Sequence, residues 1–124
     1  MAWQFTDRIL KKCTHVIDLH TGAIHRSNLP QVRATSRDKV SLKMAESFNA
    51  PIIIKAASRD GTMRGTANNL GIPIILYEAG EALRFDEQSI KIGVRGIVNV
   101  MHSLGMLRSV RKQEKTQSLF SRIS

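Results

Sequence analysis

Residues 15–22 read H-V-I-D-L-H-T-G. Val16, Ile17 and Leu19 give a short apolar run, the kind that forms a strand covered on both faces. Gly22 punctuates its end. The run predicts a buried strand that delivers His20 into a loop. Two similar runs follow, I-I-I-K-A-A after Pro51 and I-I-L-Y after Pro73, the second leading into Glu78. Both are rich in β-branched residues and are expected to be strands.

Helical signals separate these runs. Phe5, Ile9 and Leu10 lie on one side of a first helix over residues 3–12. Ser36 or Asp38 can cap a second, whose stripe is Val40, Met44 and Phe48 and whose stop is Asn49. Thr62 caps a short third helix that Gly71 closes in the left-handed position. Asp86 caps the fourth, with Phe85 and Ile90 at hydrophobic-staple positions. Its stripe is Ile90, Val94, Ile97, Met101 and Leu104, and Gly105 ends it. Residues 21–36, carrying Gly22, Asn28 and Pro30, read as one long loop. The order α-β-α-β-α-β-α implies an α/β fold with parallel strands and right-handed crossovers. Three strands make a thin sheet, so further strands or a partner are expected.

The 124 residues suffice for one domain. There is no run of 18 apolar residues, so no membrane span is expected. Residues 1–12 lack a signal-peptide layout, which makes the cytoplasm the default location. The one cysteine, Cys13, excludes an internal disulfide and reads as a small packing residue. The net charge is +9. Residues 108–124 hold Arg108, Arg111, Lys112, Lys115 and Arg122 against Glu114. The few aromatics are not interleaved with these cations, as a nucleic-acid platform requires. A solvated basic tail or linker is the expected reading, with no nucleic-acid partner.

In open α/β sheets, ligands bind beyond the carboxyl ends of the strands. His20 after the first strand and Glu78 after the third meet that description. Asp18 shares a strand face with His20 and can buttress its imidazole. One functional reading is a zinc ligand, His20, with a general base, Glu78. The alternative is a capped strand end and a surface glutamate, and on spacing alone it carries more weight. His15, His25 and His102 complete no ligand set, and no H-E-x-x-H pattern occurs.

D-L-H-T-G-A-I-H-R-S-N-L-P-Q-V-R-A, then L-G-I-P-I-I-L-Y-E-A-G-E and F-D-E-Q-S-I-K-I-G-V-R-G-I-V-N-V-M-H-S-L-G-M-L, resemble the succinylglutamate desuccinylase/aspartoacylase family over about residues 3–107. The resemblance implies a partial zinc-carboxypeptidase-like three-layer fold, a mainly parallel sheet with flanking helices. It implies a zinc-dependent deacylase acting on amide or ester bonds of a small carboxylate-bearing substrate. His20 matches the family's third zinc ligand, and Glu78 its general base. Arg64 matches a carboxylate-binding arginine, and Arg26 is a second cation in the active-site loop. For either arginine, a solvated surface charge is an equal alternative.

The family's H-x-x-E ligands and an asparagine–arginine pair lie upstream of the D-L-H strand, and Met1 is only 19 residues before His20. Residues 1–107 are therefore expected to be the central to C-terminal part of a zinc-dependent deacylase-like catalytic domain. The expected consequence is incompleteness: weak zinc binding and no useful turnover by this chain alone. A complementary chain or a homo-oligomer could complete it. The competing reading is a non-enzymatic self-association module derived from a truncated deacylase.

Overall fold

The computed structural model describes residues 2–108 and 119–122. In chain order the elements are α1 (Ala2–Arg8), a 3-10 turn (Leu10–Lys12), β1 (Val16–Gly22), β2 (Asn28–Thr35), α2 (Lys39–Phe48), β3 (Ile52–Ala56), α3 (Met63–Asn69), β4 (Ile74–Glu81), α4 (Glu87–Ser103) and β5 (Leu119–Arg122). The strands form one five-stranded sheet in the order β1-β4-β2-β3-β5. Part of the expected basic tail thus returns as an edge strand. The rest, residues 109–118 and 123–124, lies outside the described residues.

The local signals decide the helix ends. The Asp38 carboxylate accepts from the N–H groups of Val40 and Ser41, and Thr62 Oγ1 accepts from Gly65. Asn49 closes α2 at φ 62°, and Gly71 and Gly105 follow α3 and α4 at φ 72° and 74°. Asp86 caps α4 through the Ser89 N–H at 3.0 Å. The staple is not formed: Phe85 is 86% exposed.

The expected long loop is corrected by β2, which runs through the middle of the sheet. Val32 and Ala34 are completely buried, while Gln31 and Arg33 point to the other face. Pro30 lacks an N–H to give a ladder. It falls where the pairing with β4 slips, between Asn28 and Gln31. β2 also corrects the strand directions. The β1–β4, β2–β3 and β3–β5 pairs are parallel, but β2–β4 is antiparallel. The sheet remains mainly parallel, yet β3 runs opposite to β1 and β4.

Helices cover both faces, giving three layers. On one, α2 and α4 enclose Val32, Met44, Phe48, Ile53, Ile75, Tyr77 and Val100. On the other, α3 and the 3-10 turn cover only the lower half, around Leu10, Ala67, Ile72 and Ile74. The approach of α4 differs from its apolar stripe. Its buried positions are Gly93, Gly96 and Val100, whereas Ile90 and Val94 are 44% and 57% exposed. A Cβ on Gly96 would lie 2.2 Å from the Phe48 ring, so only glycine lets α4 come this close.

Candidate active site

β1 is an edge strand, and this corrects the expectation of burial on both faces: Leu19 is 55% exposed. His20 remains within β1, two residues before its end, and pairs in register with Glu78 on β4. Glu78 pairs in turn with Gln31 on β2. Register partners project to the same face. His20, Glu78 and Gln31 therefore form one rung, and Asp18, Leu76 and Arg33 form the next. The rungs lie on the half of the sheet that α3 leaves open.

The polar contacts on this face are specific. His20 Nε2 lies 2.9 Å from Asp18 Oδ2, which leaves Nδ1 as the free ring nitrogen. Glu78 Oε1 accepts from Asn28 Nδ2, and Glu78 Oε2 lies 3.8 Å from Arg33 Nη2. The Glu78 carboxylate is thus held between an amide and a guanidinium, with its side chain 20% exposed against 49% for His20. Half-exposed water contact keeps such ion pairs modest in strength.

The turn joining β1 to β2 is pinned across the strand ends. His25 takes φ 62° and donates its N–H to Glu81 Oε1 at 2.9 Å. Gly22 is required here, because a Cβ would lie 2.1 Å from the Arg26 carbonyl oxygen and 2.7 Å from that of Gly80. Arg26 sits exposed in this turn and does not join the Glu78 contacts. Arg64 lies on α3, half-buried, and donates from Nη2 to the Ala57 carbonyl at 3.2 Å. Burial first, then the charges of Arg33 and Arg59, lower the pKa of its guanidinium.

Asn28, Gln31 and Arg33 are the polar residues at this site that sequence reasoning missed. Their signal was the alternation Q-V-R-A after Pro30, with small and branched residues on one face.

Residues 1–104 match the family model described as the succinylglutamate desuccinylase/aspartoacylase catalytic domain. The chain belongs to this family. Solved structures support the fold of the family member. The product-bound ectoine utilization protein EutE (DoeB) of Ruegeria pomeroyi superposes at a TM-score of 0.87 and 19% identity, over 99% of this chain and 39% of its own. Its apo form gives 0.82 and 21%, over 97% and 40%. A succinylglutamate desuccinylase/aspartoacylase from Rhodobacter sphaeroides gives 0.78 and 22%, over 96% and 38%. The chain therefore spans about 40% of the length of these solved relatives. No curated protein matches it.

Catalytic zinc takes three protein ligands in most sites. Among the described residues no group of three His, Cys, Asp or Glu side chains could hold a metal ion. His20, with Asp18 behind it, is suited to be one ligand, but the described residues do not complete a zinc site. Also among them, no helix is long and apolar enough to cross a membrane.

Proposed function

We propose that this chain carries part of the active site of a zinc-dependent hydrolase, a deacylase of small, carboxylate-bearing amides or esters. The observation that carries the reading is the shared rung of His20 and Glu78 on an open sheet face. His20, oriented by Asp18, would be one metal ligand through Nδ1. The other ligands would come from outside the described residues. A bound zinc would supply Lewis-acid polarisation of the acyl carbonyl and a water of lowered pKa. The chain's own contribution would be Glu78, whose carboxylate would take the proton from the attacking water and return it to the leaving group. Arg64, and less directly Arg26, supply positive charge for the substrate carboxylate. By itself the chain is expected to bind zinc weakly and to turn over no substrate.

Zinc titration followed by the His20 imidazole resonances tests this. Weak binding centred on His20 and abolished in His20→Ala is expected. Zinc uptake that ignores His20 would sink the ligand assignment. Turnover by the chain alone would overturn its incompleteness.

A second reading, self-association without catalysis, is favoured by one observation. The free edge of β1 borders a groove of about 390 Å³ lined by Leu19, Ile90, Val94 and Ile97. Such an edge with apolar neighbours invites another strand. Light scattering after size exclusion separates the readings, since a clean monomer at high concentration argues against the module.

A further inference from the structure

β1 ends the sheet on its side, so one of its edges pairs with nothing among the described residues. The direction of its peptide groups fixes what that edge offers. The Val16 N–H donates to the Pro73 carbonyl at 2.9 Å, towards β4. Peptide groups alternate along a strand, so those of Val16, Asp18 and His20 face β4, and those of Ile17, Leu19 and Thr21 face the open edge. The N–H and C=O groups of these last three residues are a template for another strand. The two faces of the edge differ. Leu19 pairs in register with Tyr77 of the α2–α4 core and lines a groove with Ile90, Val94 and Ile97. Asp18 and His20, in contact at 2.9 Å, project to the opposite face, the one that carries Glu78.

A second copy of β1 complements this edge in one register. A closed two-fold contact through strand edges runs the two strands antiparallel. Outward-facing residues must then meet outward-facing residues, so only alternate registers are allowed. With Leu19 on the axis, Leu19 meets the second copy's Leu19, and Ile17 meets the second copy's Thr21. Both are hydrogen-bonded pairs. Asp18 then meets the second copy's His20 in the closer, non-hydrogen-bonded pair, acid against imidazole. The adjacent registers fit worse. One sets Asp18 against Asp18, and like charges directly opposite are destabilising. The other sets Leu19 against Thr21 and leaves Asp18 facing Gly22, which has no side chain to answer it.

We propose that two copies of this chain pair antiparallel through β1, with Leu19 on the two-fold axis and Asp18 of each copy opposite His20 of the other. The proposal rests on the self-association reading, to which it adds orientation, register and a carboxylate–imidazole pair between copies. The two five-stranded sheets become one continuous sheet across the axis. The apolar grooves of both copies meet over the paired Leu19 side chains. On the other face, each copy lends a carboxylate to the His20 of its partner, beside Glu78.

The test uses the full chain with a chelator present, at an ionic strength that screens the +9 charge of each copy. Light scattering is expected to give a dimer. In a mixture of isotope-labelled and unlabelled chain, a half-filtered NOE spectrum should connect the Asp18 α-proton of one copy with the His20 α-proton of the other, because α-protons face each other in non-hydrogen-bonded antiparallel pairs. Thr21→Pro deletes an N–H that points only at the second copy, and proline is tolerated on a free edge. It should keep the monomer folded and weaken the dimer about tenfold or more, since two hydrogen bonds are lost per dimer. A clean monomer at high concentration would sink the self-association reading and the proposal together. A dimer without the Asp18–His20 contact, or one of unchanged affinity in Thr21→Pro, would overturn the proposal and leave that reading standing. If Thr21→Pro fails to fold, the wild-type NOE spectrum decides. No zinc or turnover enters these measurements, so failure of the hydrolase reading leaves their outcome intact.

Discussion

His20 on β1 and Glu78 on β4 are register partners in a parallel ladder, although 58 positions separate them in the chain. Parallel pairing carries both side chains to the same face and the same strand end. The Asp18 carboxylate one rung below touches the His20 ring at 2.9 Å. A histidine held in this way keeps one nitrogen oriented for a ligand.

Removing that partner should loosen any metal held at His20. Asp18→Asn is expected to weaken zinc binding about 10- to 100-fold, as for other carboxylates that orient a ligand histidine. The His20 imidazole shifts in a zinc titration give the comparison. Equal affinity in both proteins would show that Asp18 only ties down the strand.

Packing of α4 makes a second prediction. Gly96→Ala puts a methyl group into the Phe48 ring, with 2.2 Å to Cε1, and should destabilise the fold by about 1–3 kcal/mol. Gly93→Ala meets Tyr77 Cε1 at 3.0 Å and should cost less. Urea midpoints at constant slope measure both. Equal midpoints for the two variants would mean that α4 shifts away freely.

Tyr77 gives the fold a limit in alkali. Its ring packs against Phe48 with centroids 5.0 Å apart and the planes tilted by 33°, and its hydroxyl donates to the Ser89 carbonyl at 2.7 Å. Burial, and then the nearby Asp86 charge, push the phenol up to about 12 from 10.0. The folded state therefore holds this proton more tightly than the unfolded chain. The resulting stability is fully present below pH 10 and is lost as pH rises towards about 12. Ultraviolet titration should show ionisation coinciding with unfolding, and Tyr77→Phe should flatten the loss over that window.

Asp86 acts in the opposite direction. Hydrogen bonds from Ser89, backbone first, hold its carboxyl below the ordinary 3.8. Its contribution is present above that value and lost as pH falls through the lowered one. Asp86→Ala should lower the urea midpoint at neutral pH, and the gap to wild type should close in strong acid. A gap independent of pH would rule out the ionised cap.

The exposed groove beside β1 yields the last prediction. If the chain self-associates, Leu19→Lys should abolish the oligomer without unfolding the monomer, because Leu19 is 55% exposed. Light scattering reads the mass. An oligomer that survives Leu19→Lys must use another surface.

Much of this fold was legible without the structure. Asp38, Thr62 and Asp86 mark helix starts, and Asn49, Gly71 and Gly105 mark ends, because a cap is decided by hydrogen bonds and φ angles within one turn. His20, Glu78 and Asp18 were legible as candidates from their positions near strand ends. Arg33 and Asn28 were not. Their segment contains Pro30 and polar residues, and its strand character comes from pairing with β4, more than 40 positions away. The apolar stripe of α4 misled for a related reason, since close approach through Gly93 and Gly96 outweighs side-chain size.

The sequence by itself determined the caps at which α2, α3 and α4 begin and end, but not the break of the first helix after Arg8, and it determined which residue types could serve a hydrolytic site. Only the tertiary structure decided that β2 lies between β4 and β3 and that Asn28 and Arg33 flank Glu78. Capping and periodicity depend on neighbours a few residues apart. Strand order, strand direction and the contacts around Glu78 depend on distant segments being buried against one another.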